Sequence, residues 1–245
     1  MDVHHPYCIR KEYVKFYPQL KKVSQNYAFK IWRKVENIKK MKKEEIDILI
    51  SLYKMNISYI DQAIGKLLKN FKNSLFIITA DHGEEFGEHG NFHKPTFYNE
   101  MVRIPLIVYG LNNEKGKNES LISHVDLGPV LASLLSFDPD PYWSGTREID
   151  KIKYQFAAYQ DFDRSGICVM DKHYKYISEY IRDSEGKIYL VKRDSDGLEY
   201  NKEKEKELKL QLDNFLTKIS KSKIRISETK ISEEIKQQLQ NLGYL

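Results

Sequence analysis

The sequence predicts an α/β fold, a mixed sheet sandwiched by helices with a small C-terminal sheet and helix appended. Three observations predict it. Apolar residues recur every three or four positions across 46–71. Two short, continuous apolar runs come next, at 75–80 and 104–109. Between the runs lies a loop dense in Gly, His and Glu. Helix, buried strand, loop and second buried strand is the order of a sheet whose faces are covered.

A chain of 245 residues holds one large α/β domain or two small ones. Hydrophobic residues at 41% can fill a core, and 17 Tyr and 11 Phe accompany the 31% of charged residues, which excludes a disordered composition. The formal charge of +5 comes from lysines clustered in 30–43 and 202–223. These mix with Glu and read as solvated helix faces. No basic stripe interleaves with aromatics, so no nucleic-acid partner is expected. The apolar runs are too short for a membrane segment, and the first residues carry neither the basic region nor the apolar core of a secretory signal. A cytoplasmic chain is the expectation. Cys8 and Cys168 belong to no CxxC pair and read as plain thiols.

Residues 10–42 are rich in Lys, Tyr and Phe without clean periodicity, and read as an irregular excursion over a domain surface. Ile46, Ile50, Tyr53, Ile57, Ile60, Ile64, Leu67 and Phe71 then mark the clearest helix. Glu44 and Glu45 in its first turn and Lys66 and Lys69 near its end suit the helix dipole. Leu75 to Ala80 reads as a buried strand, and Ile104 to Tyr109 as a second with Pro105 near its start. A helix is expected around Val125 to Leu135. Alternating runs and the turn signal Asp183-Ser184-Glu185-Gly186 predict several strands over 154–194, and the pattern from about 197 onward is helical and charged.

The loop after the first strand carries the chemistry. It holds Asp81, His82, Glu84, Glu85, Glu88, His89, His93 and Lys94, and His4 and His5 stand near the N-terminus. Asp81 and His82 are the first residues off the C-terminal end of a strand, where ligands bind in open α/β sheets. A carboxylate beside an imidazole can bind one divalent cation, and Gly83 would let the backbone turn sharply so that both face it. Two ligands make half a site. The competing reading is an ordinary turn in which Asp81 caps backbone amides. His89 and His93 have the spacing of a helical zinc pair, but Gly90 and Asn91 between them argue against a helix. Glu84, Glu85 and Glu88 read as loop-ordering or solvated.

Several segments carry a recognisable pattern. Tyr59-Ile60-Asp61-Gln62-Ala63-Ile64-Gly65-Lys66-Leu67-Leu68 resembles the helix before the metal loop in sulfatases of the alkaline phosphatase superfamily. Ile78-Thr79-Ala80-Asp81-His82-Gly83-Glu84 with Gly87-Glu88-His89-Gly90 resembles the metal loop itself. His93 to Glu100, then Val102 to Val108, is similar to the family's segment downstream of that loop. Asp2-Val3-His4-His5-Pro6-Tyr7 is similar to the family's Asp-Pro-His-x-Pro-Tyr segment, His124-Val125-Asp126-Leu127 with Pro129 to a later helix start, and Tyr174-Lys175-Tyr176 to the C-terminal sheet.

The resemblance implies an alkaline-phosphatase-like sheet, incomplete here. Residues 1–150 would be the C-terminal part of the catalytic α/β domain, and 151–245 the small sheet and helical tail. Asp81 and His82 would bind a divalent metal, Ca²⁺ first and Mn²⁺ second. His4 would contact the sulfate or leaving group, and His93 and Lys94 compete for the role of the family's ester-binding Lys or His. The implied function is part of a metal-dependent sulfatase acting on a sulfate ester substrate. The alternatives are a phosphatase, phosphodiesterase or phosphoethanolamine-type transferase of the same superfamily, or a non-catalytic remnant or subunit.

The sequence departs from the family in one large respect. Sulfatases carry an acidic pair on the first strand and a Cys or Ser, in a Cys/Ser-x-Pro-x-Arg motif, that is converted to the nucleophilic formylglycine. No adjacent Asp pair occurs here, Cys8 precedes Ile9-Arg10, and Cys168 precedes Val169-Met170. The expectation is a truncated copy, or a chain whose N-terminal half is a separate partner, inactive by itself.

Overall fold

A computed structural model describes residues 3–110, 115–160, 164–182, 188–196 and 201–221. Backbone contacts divide the chain into two units, residues 1–200 and 201–245. Of the second unit the structure describes the charged helix α5, Lys202–Lys221, whose numbering follows the four helices below.

The first unit begins with a block that the sequence left irregular. Residues 11–40 form three short 3₁₀ segments, Lys11–Phe16, Pro18–Leu20 and Val35–Lys40, around a helix α1, Gln25–Trp32, whose cap Ser24 accepts from the Tyr27 N–H at 3.2 Å. This block is no surface excursion. Leu20, Ile31 and Ile38 are buried against Leu49, Leu52 and Met55 of the long helix α2, Lys43–Asn70, in the main core. Three-residue turns interrupted by kinks have no single period, so their apolar residues escape a periodicity search.

Helix α2 forms where predicted, with Glu44 and Glu45 in its first turn and Lys69 in its last. Its buried face is centred to one side of the predicted stripe, of which Ile46, Ile50 and Tyr53 still pack partly buried on the core. Leu49, Leu52, Met55 and Asn56 are buried, whereas Ile57, Leu67 and Phe71 of the predicted stripe are exposed. The first half of α2 is apolar on more than one side, and the block 11–40 selects which side is covered.

Two strands come after it, β1 at Phe76–Thr79 and β2 at Leu106–Tyr109, with a one-turn helix α3, Asn99–Val102, between them. They pair antiparallel, Phe76 opposite Tyr109 and Thr79 opposite Leu106. The apolar runs predicted strands buried on both faces. β1 is only half buried, and Ile107, Val108 and Tyr109 of β2 are 51%, 44% and 54% exposed.

Helix α4, His124–Leu134, has a Ser123–Asp126 capping box. Buried Asp126 also accepts from the Thr146 N–H at 3.0 Å and from Gln155 Nε2 at 2.6 Å, tying α4 to the next sheet. That sheet is an antiparallel meander of β3 Gln155–Gln160, β4 Arg164–Met170, β5 Lys175–Arg182 and β6 Ile188–Asp196. Cys168 and Ile177 from it enclose Phe97, whose carbonyl accepts from Lys175 Nζ at 2.8 Å. The stretch 81–105 is therefore held at both ends. Phe86 and Phe92 sit in the α1–α2 core, and Phe97 sits on the meander.

No helix among the described residues is long and apolar enough to cross a membrane. Asp2 and the turn 183–186 lie outside the described residues, as does the expected helical pattern beyond 221.

Candidate metal centre

The site is assembled from the N-terminal segment and the loop leaving β1. Buried Asn56 of α2 anchors the first: its Nδ2 donates to the Cys8 carbonyl at 2.9 Å, and its Oδ1 accepts from Arg10 Nε at 3.2 Å. The exit of β1 is fixed by His124, whose Nε2 donates to the Ala80 carbonyl at 2.8 Å.

Asp81 and His82 come next. Asp81 Oδ1 accepts from the His82 N–H at 3.0 Å, so part of the turn-capping reading is realised. Its other oxygen stays open and lies 4.0 Å from His82 Nε2. His82 Nδ1 must be the donor to the Gly83 carbonyl at 2.7 Å, since a carbonyl only accepts. The neutral ring then carries its lone pair on Nε2, the tautomer a metal ligand needs.

Gly83 is required for a reason other than a left-handed turn. The described glycines with positive φ are Gly87, Gly90 and Gly110. At Gly83 an added Cβ would collide with the Glu100 carbonyl oxygen, while the Gly83 N–H donates to the Met101 carbonyl at 2.8 Å. Close approach of two backbones excludes any side chain there.

Glu84 is not solvated. One carboxylate oxygen accepts from the Tyr7 hydroxyl at 2.5 Å and the other from His93 Nδ1 at 2.9 Å. Burial pushes this carboxyl up, but the bonds from His93 and Tyr7 outweigh it and hold the group below its usual range. Burial, then the Glu84 charge, raises the Tyr7 phenol far above its ordinary value, so Tyr7 acts as a donor. Glu85 and Glu88 order the loop, as the sequence suggested: Glu85 accepts from the His89 N–H at 3.0 Å and Glu88 from the Phe86 N–H at 2.5 Å. His89 stacks on Tyr98 with ring centroids 3.5 Å apart and reaches Glu100 at 3.2 Å, engagements that differ from the zinc pair with His93.

His93 has φ of 47°, a left-handed conformation uncommon outside glycine. Its ring meets His4 at 4.8 Å, His5 at 3.9 Å and His82 at 5.3 Å between centroids. One ring nitrogen from each of His4, His5 and His93 lies within 4.8 Å of the other two. Burial first, then neighbouring His93 and His4, lowers His5 to about 4. The structure thus gathers His4, His82 and His93, three of the histidines that the sequence singled out. Lys94 is exposed and does not line the broad cleft onto which Asp81, His82 and His93 open, whose wall includes Arg103 and Lys172.

Sequence reasoning gave no role to His5 or Tyr7 and underrated Glu84. The signal available for His5 was its adjacency to His4. For Glu84 it was the position two residues past the metal-ligand candidate His82, where a carboxylate can orient an imidazole.

The sulfatase family profile matches residues 1–137, more than half of the chain. The chain belongs to the sulfatase family. The choline-sulfatase of Rhizobium meliloti is 24% identical over 143 residues, covering 51% of this chain and 28% of that sulfatase. A protein solved in complex with its substrate D-glucosamine-2-N,6-O-disulfate superposes with a TM-score of 0.59 at 17% identity, over 91% of this chain and 56% of the other. The phosphonate monoester hydrolase of Silicibacter pomeroyi superposes at 0.57 and 16% identity, over 90% and 50%. These neighbours share the fold of this chain, and the chain spans under two thirds of each relative. Sulfatases as a family hydrolyse sulfuric esters and generally use a divalent metal.

The donors fit such an ion. The open Asp81 oxygen and His82 Nε2 are 4.0 Å apart, within reach of one cation whose ligands stand about 2.0–2.6 Å away. The proximal nitrogen of His82 is already engaged by backbone.

Proposed function

We propose that this chain is the metal- and ester-binding part of a sulfatase acting on sulfuric esters. The observation that carries the reading is the Asp81–His82 pair, whose two open donor atoms lie 4.0 Å apart at the exit of β1. Residues 1–150 form the C-terminal part of the catalytic domain, and 151–245 the small sheet and tail. Asp81 and His82 hold a divalent cation, Ca²⁺ first and Mn²⁺ second, Mn²⁺ being the better match for an imidazole. When bound, the cation supplies Lewis acidity toward the ester oxygens. His4 and His93 present their rings to the ester, and His93, which opens onto the cleft, is favoured over the exposed Lys94 for the second role. Glu84 keeps His93 in one tautomer. Arg103 and Lys172 in the cleft wall attract an anionic substrate.

Neither cysteine sits in the nucleophile motif, so the nucleophile and the remaining metal ligands come from another segment or a partner chain. The exposed faces of β2 and the second half of α2 support this, because a sheet with helices on both sides would cover them. The isolated chain is therefore inactive.

The test is a two-part assay. Calorimetric titration with Ca²⁺ and Mn²⁺ compares the wild type with Asp81→Ala and His82→Ala. Aryl sulfate and aryl phosphate turnover is then measured with and without an N-terminal sulfatase half. Weak ion binding, no tighter than about 10⁻⁴ M for Ca²⁺, lost in both variants and strengthened by the added half, is the expected result. Turnover by the lone chain that disappears in Asp81→Ala would overturn it in favour of metal-activated water. A second reading, phosphoryl or phosphonate ester hydrolysis, is favoured by the likeness to the phosphonate monoester hydrolase. Preference for the phosphate ester in the reconstituted assay would select it.

A further inference from the structure

We propose that His4, His5 and His93 form a second cation site, for a divalent transition metal of the Zn²⁺ class, distinct from the Asp81–His82 pair. One ring nitrogen from each residue lies within 4.8 Å of the other two, so a closure of about 1 Å, open to the exposed His4, would bring all three to the Zn–N distance of about 2.0–2.1 Å.

Two of the three tautomers are fixed with a lone pair free for a metal. His93 Nδ1 donates to the Glu84 carboxylate at 2.9 Å, which leaves Nε2 for a metal. His4 Nδ1 donates to the His5 carbonyl at 2.6 Å, which leaves its Nε2 likewise. A carboxylate or carbonyl on the far nitrogen of a ligating histidine is the usual orienting arrangement at metal sites. His5 contributes the third ring. Its Nδ1 is buried without a hydrogen-bond partner among the described residues, an arrangement that native proteins avoid unless the group has a further use.

The rings are also held in place. His5 stacks on Phe92, with centroids 6.1 Å apart and planes at 17°, and leans on Trp32. His93 keeps a left-handed backbone at φ 47°, a conformation that persists only where the surroundings enforce it. The donor set selects the ion. Three imidazoles suit Zn²⁺, Ni²⁺ or Cu²⁺, whereas Ca²⁺ and Mg²⁺ need oxygen ligands. A site with three protein nitrogens leaves a fourth position open to water or an anion.

The triad shares His4 and His93 with the ester-binding reading but not Asp81 or His82, so the two sites can be tested apart. If both are right, an ion on His4 and His93 displaces the ester and inhibits the reconstituted enzyme.

The experiment titrates the 245-residue chain with Zn²⁺ by calorimetry, and with Co²⁺ as a visible-absorbing substitute. One ion per chain is expected. Asp81→Ala should leave the affinity unchanged, while His5→Gln and His93→Gln weaken it at least about tenfold, the scale at which even orienting partners act. His4→Gln, at an exposed position, provides the variant least able to disturb folding, and circular dichroism checks the others. Each histidine variant should also lose the Co²⁺ absorption of nitrogen coordination. Zn²⁺ binding that survives His4→Gln and His5→Gln but is lost in Asp81→Ala would move the ion to the Asp81–His82 pair and overturn the proposal. So would a folded wild type that binds no Zn²⁺. Failure of the sulfatase reading would appear elsewhere, as Ca²⁺ or Mn²⁺ binding indifferent to Asp81→Ala.

Discussion

Glu84 accepts the Nδ1 proton of His93 at 2.9 Å, and this one bond sets which nitrogen of the ring faces the cluster. The same carboxylate takes the Tyr7 hydroxyl, so an amide in its place can accept from only one of the two donors and turns its NH2 on the other. Glu84→Gln is expected to lower stability by about 1–3 kcal/mol, measured by denaturant unfolding at neutral pH. The native carboxyl lies below its ordinary value. Its stabilisation is therefore complete above the unfolded carboxyl value of about 4.3 and is lost as pH falls through the lower folded value. The acid limb of the stability profile should be shallower in the Gln variant.

His5 gives a second pH dependence, in a higher window. Its folded value is lowered from 6.5 to about 4, so the unfolded chain takes up the proton first as pH falls. With a chelator present, stability should be complete above pH 6.5 and should decline toward pH 4. The ring is half-exposed, and after solvent screening roughly 1–2 kcal/mol should remain. His5→Phe should flatten this limb, with unfolding midpoints across the pH series as the readout.

Gly83→Ala should be far more harmful than a glycine without positive φ would suggest. The new Cβ runs into the Glu100 carbonyl oxygen, and neither backbone can retreat without breaking the Gly83–Met101 bond. The expected loss is about 3 kcal/mol or more, together with weaker Mn²⁺ binding, since Asp81 and His82 are displaced. A thermal transition equal to wild type would refute the close-approach account.

The bare apolar faces should make the chain associate. Ile57, Ile107 and Val108 are 42%, 51% and 44% exposed. Exposed strand edges and patches of this kind drive aggregation. The double variant Ile57→Lys, Ile107→Lys should stay monomeric at concentrations where the wild type associates, and its stability should change by only about 0.5 kcal/mol. Sedimentation velocity decides, and a monomeric wild type would count against missing neighbours.

Asp126→Ala should cost roughly 3 kcal/mol. The carboxylate caps α4 through the Ser123 N–H and receives Thr146 and Gln155, so one truncation removes a helix cap and the link to β3. Denaturant midpoints are the measurement, and Asp126→Asn should recover part of the loss.

The elements with a single strong signal were legible in the sequence. Helix α2, strands β1 and β2, helix α4 and the strands of the meander stand where the apolar spacing put them. What periodicity could not supply was the choice of face. Ile46 to Phe71 forms a valid stripe, but Leu49, Leu52 and Met55 form another, and contact with Leu20, Ile31 and Ile38 decides between them. Those partners sit in a block of short turns without a common repeat. In the candidate site, the position of Asp81 and His82 at the exit of β1 was legible because strand end, residue type and Gly83 coincide. His5, Tyr7 and the burial of Glu84 were not, because their meaning arises only when residues far apart in sequence meet.

That separation bears on the order of folding. Tyr7 and Glu84 stand 77 residues apart, and their bond joins the N-terminal segment to the loop of His93. Closing so long a loop costs about 4 kcal/mol of chain entropy, which only the packed α1–α2 core between the two ends can offset. The histidines are therefore expected to come together late, after that core has condensed. A metal that binds all three rings would be a reporter of completed folding, silent toward every intermediate in which the first residues still move freely.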